Sequence, residues 1–392
     1  MLDSEKIRES IIQDEIKFLD DNQLMTYIQN NIIDYIIAYD GSVDINYITE
    51  LTKDIFYEIR GFGIIQKLLE DDNINEIMIN AFDEIYLEKD GQMYKSVYKF
   101  KDNDEYERII QKIVSEVGRE VNTSKPIVDA RLYDGSRVNI VLNPISKDNP
   151  AVTIRKFSNK NYTIDDLMNF GLFNEEVYDF LKMIIKAKYN IMIGGGTSSG
   201  KTTLLGALTN FIDKSERIIT IEDSRELRID LPNLISLQSR ESNVSHGGNI
   251  SMKDLIKNSL RMRPDRIIVG EVRADETLDM LQSMNTGHDG SLSTVHANSS
   301  KDMISRLETM VLRASDDIPL EAIKRLINSS IEFIIYLKKV KDMRKITEIV
   351  EVVQDVNGET ILNKIYEYDN SKSSLIKVGN IINKYKLEEE FE

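Results

Sequence analysis

Apolar residues near the start of the chain recur every three or four positions. This spacing runs from Ile7 to Ile36 and, after a break at residues 40–42, resumes between Ile45 and Leu69. Such a recurrence places apolar side chains on one face of a helix. The pattern therefore predicts a small helical region over residues 1–70.

Short apolar runs separated by turn residues follow this region, and their length and residue types are typical of strands. The predicted strands are residues 75–79, 84–87, 94–97, 136–141 and 151–155, and one helix is predicted over 106–117. This mixture predicts an α+β domain over residues 71–157. Residues 158–163 are polar and lack an apolar period, so they are the predicted linker.

From residue 164 onwards, apolar runs alternate with stretches of helical character. The runs are residues 190–193, 218–221, 234–237, 267–269 and 292–295, and a tail of predicted strands follows at 333–337, 346–353 and 361–368. Strand-then-helix alternation is typical of a parallel sheet covered by helices on both faces. The pattern predicts an α/β domain over residues 164–392.

Composition narrows the functional classes. No apolar run approaches the roughly 18 residues needed to span a bilayer, the first residues lack a secretory signal pattern, and there is no cysteine for disulfides or thiolate metal sites. The formal net charge is −16, and residues 1–60 hold 13 Asp and Glu against 5 Lys and Arg. Nucleic-acid-binding chains usually have the opposite bias. We expect a cytoplasmic protein without a nucleic-acid partner, whose acidic residues mainly provide solubility.

The most informative motif follows the apolar run 190–193. Gly195-x-x-x-x-Gly200-Lys201-Thr202 matches the phosphate-binding Walker A pattern in full, between a predicted strand and a predicted helix. Glycines let backbone N–H groups point at phosphate oxygens, and the helix start adds partial positive charge. Lys201 is predicted to reach the β- and γ-phosphates, and the Thr202 hydroxyl to bind Mg²⁺. The predicted nucleotide-binding residues here are Gly195, Gly196, Thr197, Ser198, Ser199, Gly200, Lys201, Thr202 and Thr203.

Two carboxylates close apolar strands downstream of this loop. Glu222 follows the run 218–221, and Glu271 follows the run 267–269 after one glycine. Phosphoryl transfer to water requires a positioned water molecule and Mg²⁺. We predict that Glu271 activates the water or binds Mg²⁺, directly or through water, and that Glu222 shares or exchanges that role. The sequence leaves open which of the two is the general base.

Three histidines complete the candidate chemistry. His296 ends the predicted strand 292–295, where it is predicted to sense the γ-phosphate. His288 lies eight residues earlier across that strand, in no pattern that resembles a zinc site. His246 lies in a glycine-containing loop, and a structural role is expected for it.

Four motifs together carry a family resemblance. GGTSSGKTT (195–203), TIEDSREL (220–227), RMRPDRIIVGEVR (261–273) and TGHDGSLSTVHA (286–297) occur in order. They resemble the Walker A, Asp box, Walker B and His box of the secretion ATPases of type II, type IV pilus and type IV secretion systems. DARLYDGSRVNIV (129–141) and AVTIRKFS (151–158) look most like the CpaF/TadA branch, which powers Flp (tight-adherence) pili.

The resemblance implies an α/β fold. A RecA-like P-loop C-terminal domain with a parallel-rich sheet is preceded by an α+β N-terminal domain and a small helical region. It also implies a hexameric ring in which each ATP lies between the two domains and N-terminal arginines reach the phosphates. By motif position the candidates are Arg131, Arg137 and Arg155, with Arg261 and Arg263 as further ones. A surface ion pair is the alternative role for each arginine.

The expected function is that of an ATP-hydrolysing, Mg²⁺-dependent motor for Flp pilus assembly or protein secretion. Its expected partners are identical copies and an inner-membrane platform protein, at the cytoplasmic face of the membrane. ATP would close the two domains about residues 158–163, and hydrolysis would reopen them. Three alternatives remain open: a type IV secretion ATPase with protein or nucleoprotein substrates, a nucleic-acid translocase on a related core, and a nucleotide switch with negligible turnover.

Overall fold

The computed structural model divides the chain into two compact units, residues 1–159 and 160–392. The structure describes Ile7 and residues 16–38, 44–89, 91–157, 161–240, 248–315, 317–341, 343–355 and 358–391. Several predicted features lie outside these residues: the helical pattern at 8–15, the break at 40–42, half of the linker (158–160) and His246. Among the described residues, no helix is long and apolar enough to cross a bilayer.

The first unit begins with helices whose apolar faces pack together. They are α1 (Asp21–Ala38), α2 (Ile45–Ile59) and α3 (Ile64–Glu70). On α1 the buried residues recur every four positions: Leu24, Ile28, Ile32 and Ile36. They join Leu51 and Ile55 of α2 in a small core. The Asp44 carboxylate accepts the Asn46 N–H and caps α2, which satisfies one of the amides at the helix start.

A six-stranded antiparallel sheet forms the rest of the first unit. Its elements are β1 (Ile74–Ala81), β2 (Glu84–Lys89), β3 (Gln92–Lys95), α4 (Asn103–Glu116), β4 (Ile127–Arg131), β5 (Arg137–Val141) and β6 (Ala151–Arg155). The strand order is β3-β2-β1-β6-β5-β4. Helix α4 buries Tyr106 and Ile110 in the core of this sheet. Strand β4 was not predicted, because Val128 is its only buried residue and its apolar pattern is correspondingly weak.

A nine-stranded sheet organises the second unit, in the order β15-β14-β13-β12-β7-β11-β10-β8-β9. Its strands are β7 (Ile191–Gly195), β8 (Ile218–Glu222), β9 (Leu234–Gln238), β10 (Arg266–Val269), β11 (Leu292–His296), β12 (Phe333–Val340), β13 (Met343–Gln354), β14 (Thr360–Asp369) and β15 (Ser374–Lys377). The six strands from β12 to β9 are parallel, and β13 to β15 extend the sheet in antiparallel fashion.

Helices cover both faces of this sheet. They are α5 (Ile164–Asn169), α6 (Glu175–Lys186), α7 (Lys201–Leu208), α8 (Met252–Ser259), α9 (Glu276–Met284), α10 (Ser300–Ala314), α11 (Leu320–Ser330) and α12 (Tyr385–Phe391). Helices α5 to α7 pack with Ile191 and Ile193 on one face, and α8 to α11 pack with Met192 on the other. Alternate residues of a strand point to opposite faces, so the fully apolar run of β7 follows from burial on both sides.

A buried ion pair joins the amino ends of two central strands. Arg266, which is 1% exposed, starts β10 and binds Glu216 through two hydrogen bonds of 2.8 and 2.9 Å. Its third nitrogen, Nη1, donates to the Ile185 carbonyl, 2.9 Å away. Burial raises the pKa of the Glu216 carboxyl, but the Arg266 hydrogen bonds and charge outweigh this effect and leave the pKa below its usual value. The carboxylate is therefore ionised in the folded protein at neutral pH.

We expect Glu216→Gln to destabilise the protein by about 3–5 kcal/mol, since it leaves the buried Arg266 charge without its partner. Urea unfolding of the wild type and the variant measures this difference in the free energy of unfolding. A carboxyl with a depressed folded pKa adds stability that is present above the unfolded pKa and is lost as the pH falls through the folded pKa. The difference should therefore persist at neutral pH and shrink below about pH 4.5.

Glu359→Gln is the matched control. Glu359 pairs with Lys324 at 3.2 Å, but its side chain is 63% exposed. Exposed ion pairs contribute roughly 0–1 kcal/mol, so this variant should unfold almost as the wild type does. Equal effects of the two substitutions would contradict the role given to the buried pair.

Candidate nucleotide-binding site

The loop predicted to bind phosphate connects buried strand β7 to helix α7. A Cβ atom added to Gly195 would lie 2.7 Å from the Leu337 carbonyl oxygen and 2.6 Å from Ser199 Oγ, so only glycine fits there. Gly200 has φ +95°, a left-handed value that favours glycine, and is the N-cap of α7. Residues 196–198 are exposed, whereas Ser199 and Lys201 are buried. The loop is therefore shaped as the sequence predicted, with a helix N-terminus behind it.

Strand register brings the other candidate groups to the same edge of the sheet. His296 of β11 lies opposite Gly195 of β7, and Val269 of β10 lies opposite both Ser293 of β11 and Ile221 of β8. Since these strands are parallel, their carboxyl ends share one edge. Ligands of open α/β sheets bind at this edge.

Three of the predicted catalytic residues form a continuous line of contacts. Lys201 Nζ donates to the Gly196 carbonyl oxygen at 2.9 Å and lies 3.3 Å from His296 Nδ1. His296 Nε2 lies 3.1 Å from Glu271 Oε1, a close contact without the alignment of a hydrogen bond. The structure thus places the loop lysine, the histidine of β11 and the glutamate after β10 within direct reach of one another.

The protonation of His296 follows from this setting. Burial lowers the pKa of its imidazole, the Glu271 carboxylate opposes that effect, and the charges of Lys201 and Arg273 lower the pKa further. The net shift is downward, so the ring is neutral at neutral pH. A neutral imidazole has one ring nitrogen able to accept a hydrogen bond. His296 can therefore accept from Lys201 or from a water molecule at the site.

The residues present fit a magnesium ion. Glu271 Oε1 is a buried carboxylate oxygen without a hydrogen-bond partner, and the half-buried Thr202 is the second residue of α7, behind the phosphate loop. Magnesium is bound through oxygen, usually by one or two protein groups together with phosphates and water. Glu271 and Thr202 supply groups of this kind. Among the described residues there is no cluster of three or more His, Cys, Asp or Glu suited to a metal.

Glu222 has a different environment from Glu271. It is 3% exposed, and its Oε1 accepts the N–H groups of Glu226 and Leu227 at 2.8 and 2.9 Å. Its side chain also lies against Gly270, where an added Cβ would come within 3.0 Å of Glu222 Cγ. The carboxylate therefore holds the loop after β8 in place, and its catalytic role stays a prediction.

Sequence reasoning missed Arg273. Its Nη2 donates to Glu271 Oε2 at 2.6 Å, so it holds one oxygen of the predicted catalytic carboxylate while the other stays available. The pair is only two residues apart in the motif VGEVR, and that spacing was the available signal.

The three predicted N-terminal arginines form a row within the first unit. Arg131 lies opposite Arg137 on neighbouring strands, and Arg137 lies opposite Arg155. Directly opposed residues of an antiparallel pair project from the same face, where like charges are destabilising. Arg155 Nε lies 3.8 Å from a Glu76 oxygen, too far for a strong hydrogen bond. The three guanidinium groups therefore concentrate positive charge on one face of this sheet.

The remaining candidates lie elsewhere in the second unit. Arg261 is exposed and donates to the Lys257 carbonyl, and Arg263 is exposed with φ +54°. His288 Nδ1 lies 3.3 Å from the Ser283 carbonyl oxygen. The structure does not bring these three residues into the line formed by Lys201, His296 and Glu271.

Comparison with known proteins identifies the family. The sequence model of the type II/IV secretion system protein family matches residues 58–369. The chain belongs to this family. Several relatives of this chain have names that indicate a function. The type IV secretion system protein VirB11 of Bartonella quintana is 31% identical over 322 residues, which cover 73% of this chain and 90% of that protein.

Two further relatives show that the similarity extends to a conjugal transfer protein and to an archaeal protein. The conjugal transfer protein TrbB of Rhizobium radiobacter is 29% identical over 288 residues, which cover 72% of this chain and 85% of that protein. An uncharacterised protein of Methanocaldococcus jannaschii is 38% identical over 286 residues, or 71% of this chain. The chain spans only 39% of that archaeal protein's length. Only the broader family is shown, and the CpaF/TadA branch suggested by the sequence stays a prediction.

Solved structures confirm the predicted fold class. The pilus retraction motor PilT with bound ADP matches with a TM-score of 0.53 at 20% identity, over 84% of this chain and 86% of PilT. The ATPase DotB of Legionella pneumophila matches with a TM-score of 0.52 at 20% identity, over 79% of this chain and 81% of DotB. The fold is that of a two-domain, RecA-like α/β protein.

We expect Lys201→Ala to weaken binding of Mg-ATP by roughly tenfold to hundredfold, the effect of losing one hydrogen bond to a charged group. Isothermal titration with a non-hydrolysable analogue measures the dissociation constant. Lys214→Ala, an exposed lysine in the loop before β8, is the control and should bind as the wild type does. An unchanged affinity in Lys201→Ala would refute the assignment of the loop.

Proposed function

We propose that this protein is an ATPase whose hydrolysis of Mg-ATP drives a type IV secretion or conjugal-transfer machine. The observation that carries the proposal is the line from Lys201 through His296 to Glu271 at the carboxyl ends of adjacent strands. These groups supply a cation, a neutral imidazole and a carboxylate beside a phosphate-binding loop. Water attack on a γ-phosphate needs such groups.

Different residues of the chain have different roles in the proposed hydrolysis. The loop amides and Lys201 hold the β- and γ-phosphates and stabilise the negative charge that develops during transfer. Glu271 Oε1, which has no hydrogen-bond partner, accepts a proton or hydrogen bond from the attacking water. His296 contacts both Lys201 and Glu271, and these contacts support its proposed role as the group that senses the γ-phosphate. The products are ADP and inorganic phosphate.

Magnesium would be held by Thr202 and by Glu271, directly or through water, and would neutralise phosphate charge. Arg273 holds one oxygen of Glu271, and the other oxygen would serve the metal or the attacking water. The choice between metal ligand and general base at Glu271 stays open. Glu222 remains the second candidate base.

The mechanical work of the proposed motor would depend on the row of three arginines in the first unit. Arg131, Arg137 and Arg155 carry permanent charge on one face of their sheet, and forked guanidinium groups suit phosphate oxygens. We propose that they bind the phosphates of ATP during turnover, in a hexameric ring of identical chains. Phosphate release would then remove that attraction, which would couple hydrolysis to movement.

The type of machine is inferred from the named relatives. The names of VirB11 of Bartonella quintana and TrbB of Rhizobium radiobacter support type IV secretion or conjugal transfer. We propose an inner-membrane platform protein as the partner that receives the motion. Assembly of Flp pili is the alternative, supported by the upstream motifs at 129–141 and 151–158. ATPase stimulation by single-stranded DNA would favour a translocase instead. The chain's net charge of −16 disfavours that reading.

Glu271→Gln should leave Mg-ATP binding nearly unchanged and slow hydrolysis by about 10²–10⁴, the usual contribution of a positioned base. Multiple-turnover phosphate release measures the rate, and titration with the analogue measures binding. Glu389→Gln, an exposed residue of α12, is the control. If Glu271→Gln turns over as fast as the wild type, another carboxylate activates the water. If the wild type binds ATP without repeated turnover, the protein is a nucleotide switch.

Arg137→Ala tests the arginine row, because Arg137 occupies its centre. Losing one donor to the transition state should lower kcat by about 10²–10³ while the dissociation constant of the analogue changes little. Steady-state ATPase kinetics together with titration separate the two effects. Arg108→Ala, on the exposed face of α4, should behave as the wild type. An unchanged kcat in Arg137→Ala would exclude the row from catalysis.

A further inference from the structure

A strongly basic hairpin borders the phosphate-binding loop. Strand β12 runs parallel to β7 and pairs Leu337 with Gly195, so it continues past the point where β7 enters the loop. Five of the eight residues from Lys338 to Lys345 are lysine or arginine, in a chain whose net charge is −16. The hairpin of β12 and β13 therefore concentrates positive charge at the nucleotide edge of the sheet.

Like charges face one another across this hairpin, and this arrangement lowers the stability of the hairpin itself. Lys338 lies directly opposite Lys345, and Lys339 lies directly opposite Arg344. Like charges directly opposed in an antiparallel pair are destabilising. Pairs of like charge that destabilise the fold in this way are expected where a functional site, rather than stability, determines which residue is present. Two of them in succession indicate that these cations serve a contact outside the hairpin.

Arg344 makes such a contact with the phosphate loop itself. Its Nε donates to the Ser198 carbonyl oxygen at 3.0 Å. Its side-chain stem also lies along the end of the loop, since a Cβ added to Gly200 would be 3.3 Å from Arg344 Cδ. The two contacts span the last three residues before α7. Arg344 is 146 residues away from Ser198 in sequence, so only the strand order brings them together.

Because the peptide bond is planar, the contact of Arg344 with the Ser198 carbonyl also fixes the direction of the Ser199 N–H. In a planar trans peptide the C=O and N–H groups point in opposite directions. The Ser198 carbonyl oxygen, held by Arg344, therefore turns the N–H of Ser199 to the opposite side of the loop. Ser198 has φ +56°, a left-handed value that is unfavourable for a residue other than glycine. A hydrogen bond from a permanently charged donor offsets that strain.

We infer that Arg344 is a positioning residue of the nucleotide site. It holds the Ser198–Ser199 peptide so that the Ser199 N–H faces the phosphates, and it thereby presets the loop for a nucleoside di- or triphosphate. This inference rests on the proposed function and adds a cation from the second unit itself. It differs from the arginine row, whose residues belong to the first unit and are proposed to act on the transferring phosphate.

The test compares Arg344→Met, which removes the donor, with Arg344→Lys, which keeps a cation able to make one hydrogen bond. The dissociation constants of Mg-ADP and of a non-hydrolysable Mg-ATP analogue should rise about tenfold to hundredfold in Arg344→Met, with Arg344→Lys in between. KM for ATP should rise with them, while kcat changes much less, because the loop is needed for binding in ground and transition states alike.

Thermal unfolding without nucleotide separates positioning from folding. Arg344 is exposed, so Tm of the unliganded variants should stay within about 2 °C of the wild type. The increase of Tm on adding Mg-ADP should shrink, since that increase depends on the dissociation constant. Lys377→Ala, an exposed cation on β15 of the same sheet, is the control and should leave both quantities unchanged.

Three outcomes would overturn the inference, and they identify which proposal is wrong. If the wild type binds nucleotide and Arg344→Met binds equally well, only the role of Arg344 is wrong. If affinity falls only in proportion to a lower unliganded Tm, Arg344 is merely structural. If the wild type itself binds neither Mg-ADP nor the analogue, the proposed function is wrong and the inference fails with it.

Discussion

The concentration of negative charge on a triphosphate is the physical constraint that the proposed function places on this site. Three phosphates must be held by amides and cations that are fixed in advance, because loose groups would lose much of their binding energy in becoming ordered. A parallel sheet solves this problem, since the ends of its strands form one rigid edge. Here β7, β11, β10 and β8 end together and supply the loop, His296, Glu271 and Glu222.

The cost of that arrangement is visible in the same residues. Lys201 is 6% exposed, and burying an ammonium group is unfavourable unless it is paired. Its ammonium group contacts the Gly196 carbonyl oxygen and the neutral ring of His296. The Ser198 backbone is strained and the hairpin beside it holds opposed lysines and an arginine. Unfavourable features thus cluster where phosphate would compensate them.

Local sequence patterns predicted much of the arrangement of the candidate site. The strand-to-helix setting of the Walker A segment, the two strand-terminal glutamates and His296 were all readable, because each depends on neighbours within a few residues. Strand β4 was missed because it buries a single residue, Val128. The contact of Arg344 with the loop was not predictable, since it depends on β12 inserting between β7 and β13. Local periodicity does not specify pairing between strands distant in sequence.

The central claim is that the second unit grips a magnesium-bound triphosphate at the edge formed by β7, β11 and β10. Calorimetric titration of the purified full chain with a non-hydrolysable Mg-ATP analogue tests it most directly. The account predicts saturable binding at one site per chain, with adenosine unable to compete because it lacks the phosphates. Absence of saturable binding, or equal competition by adenosine, would contradict it.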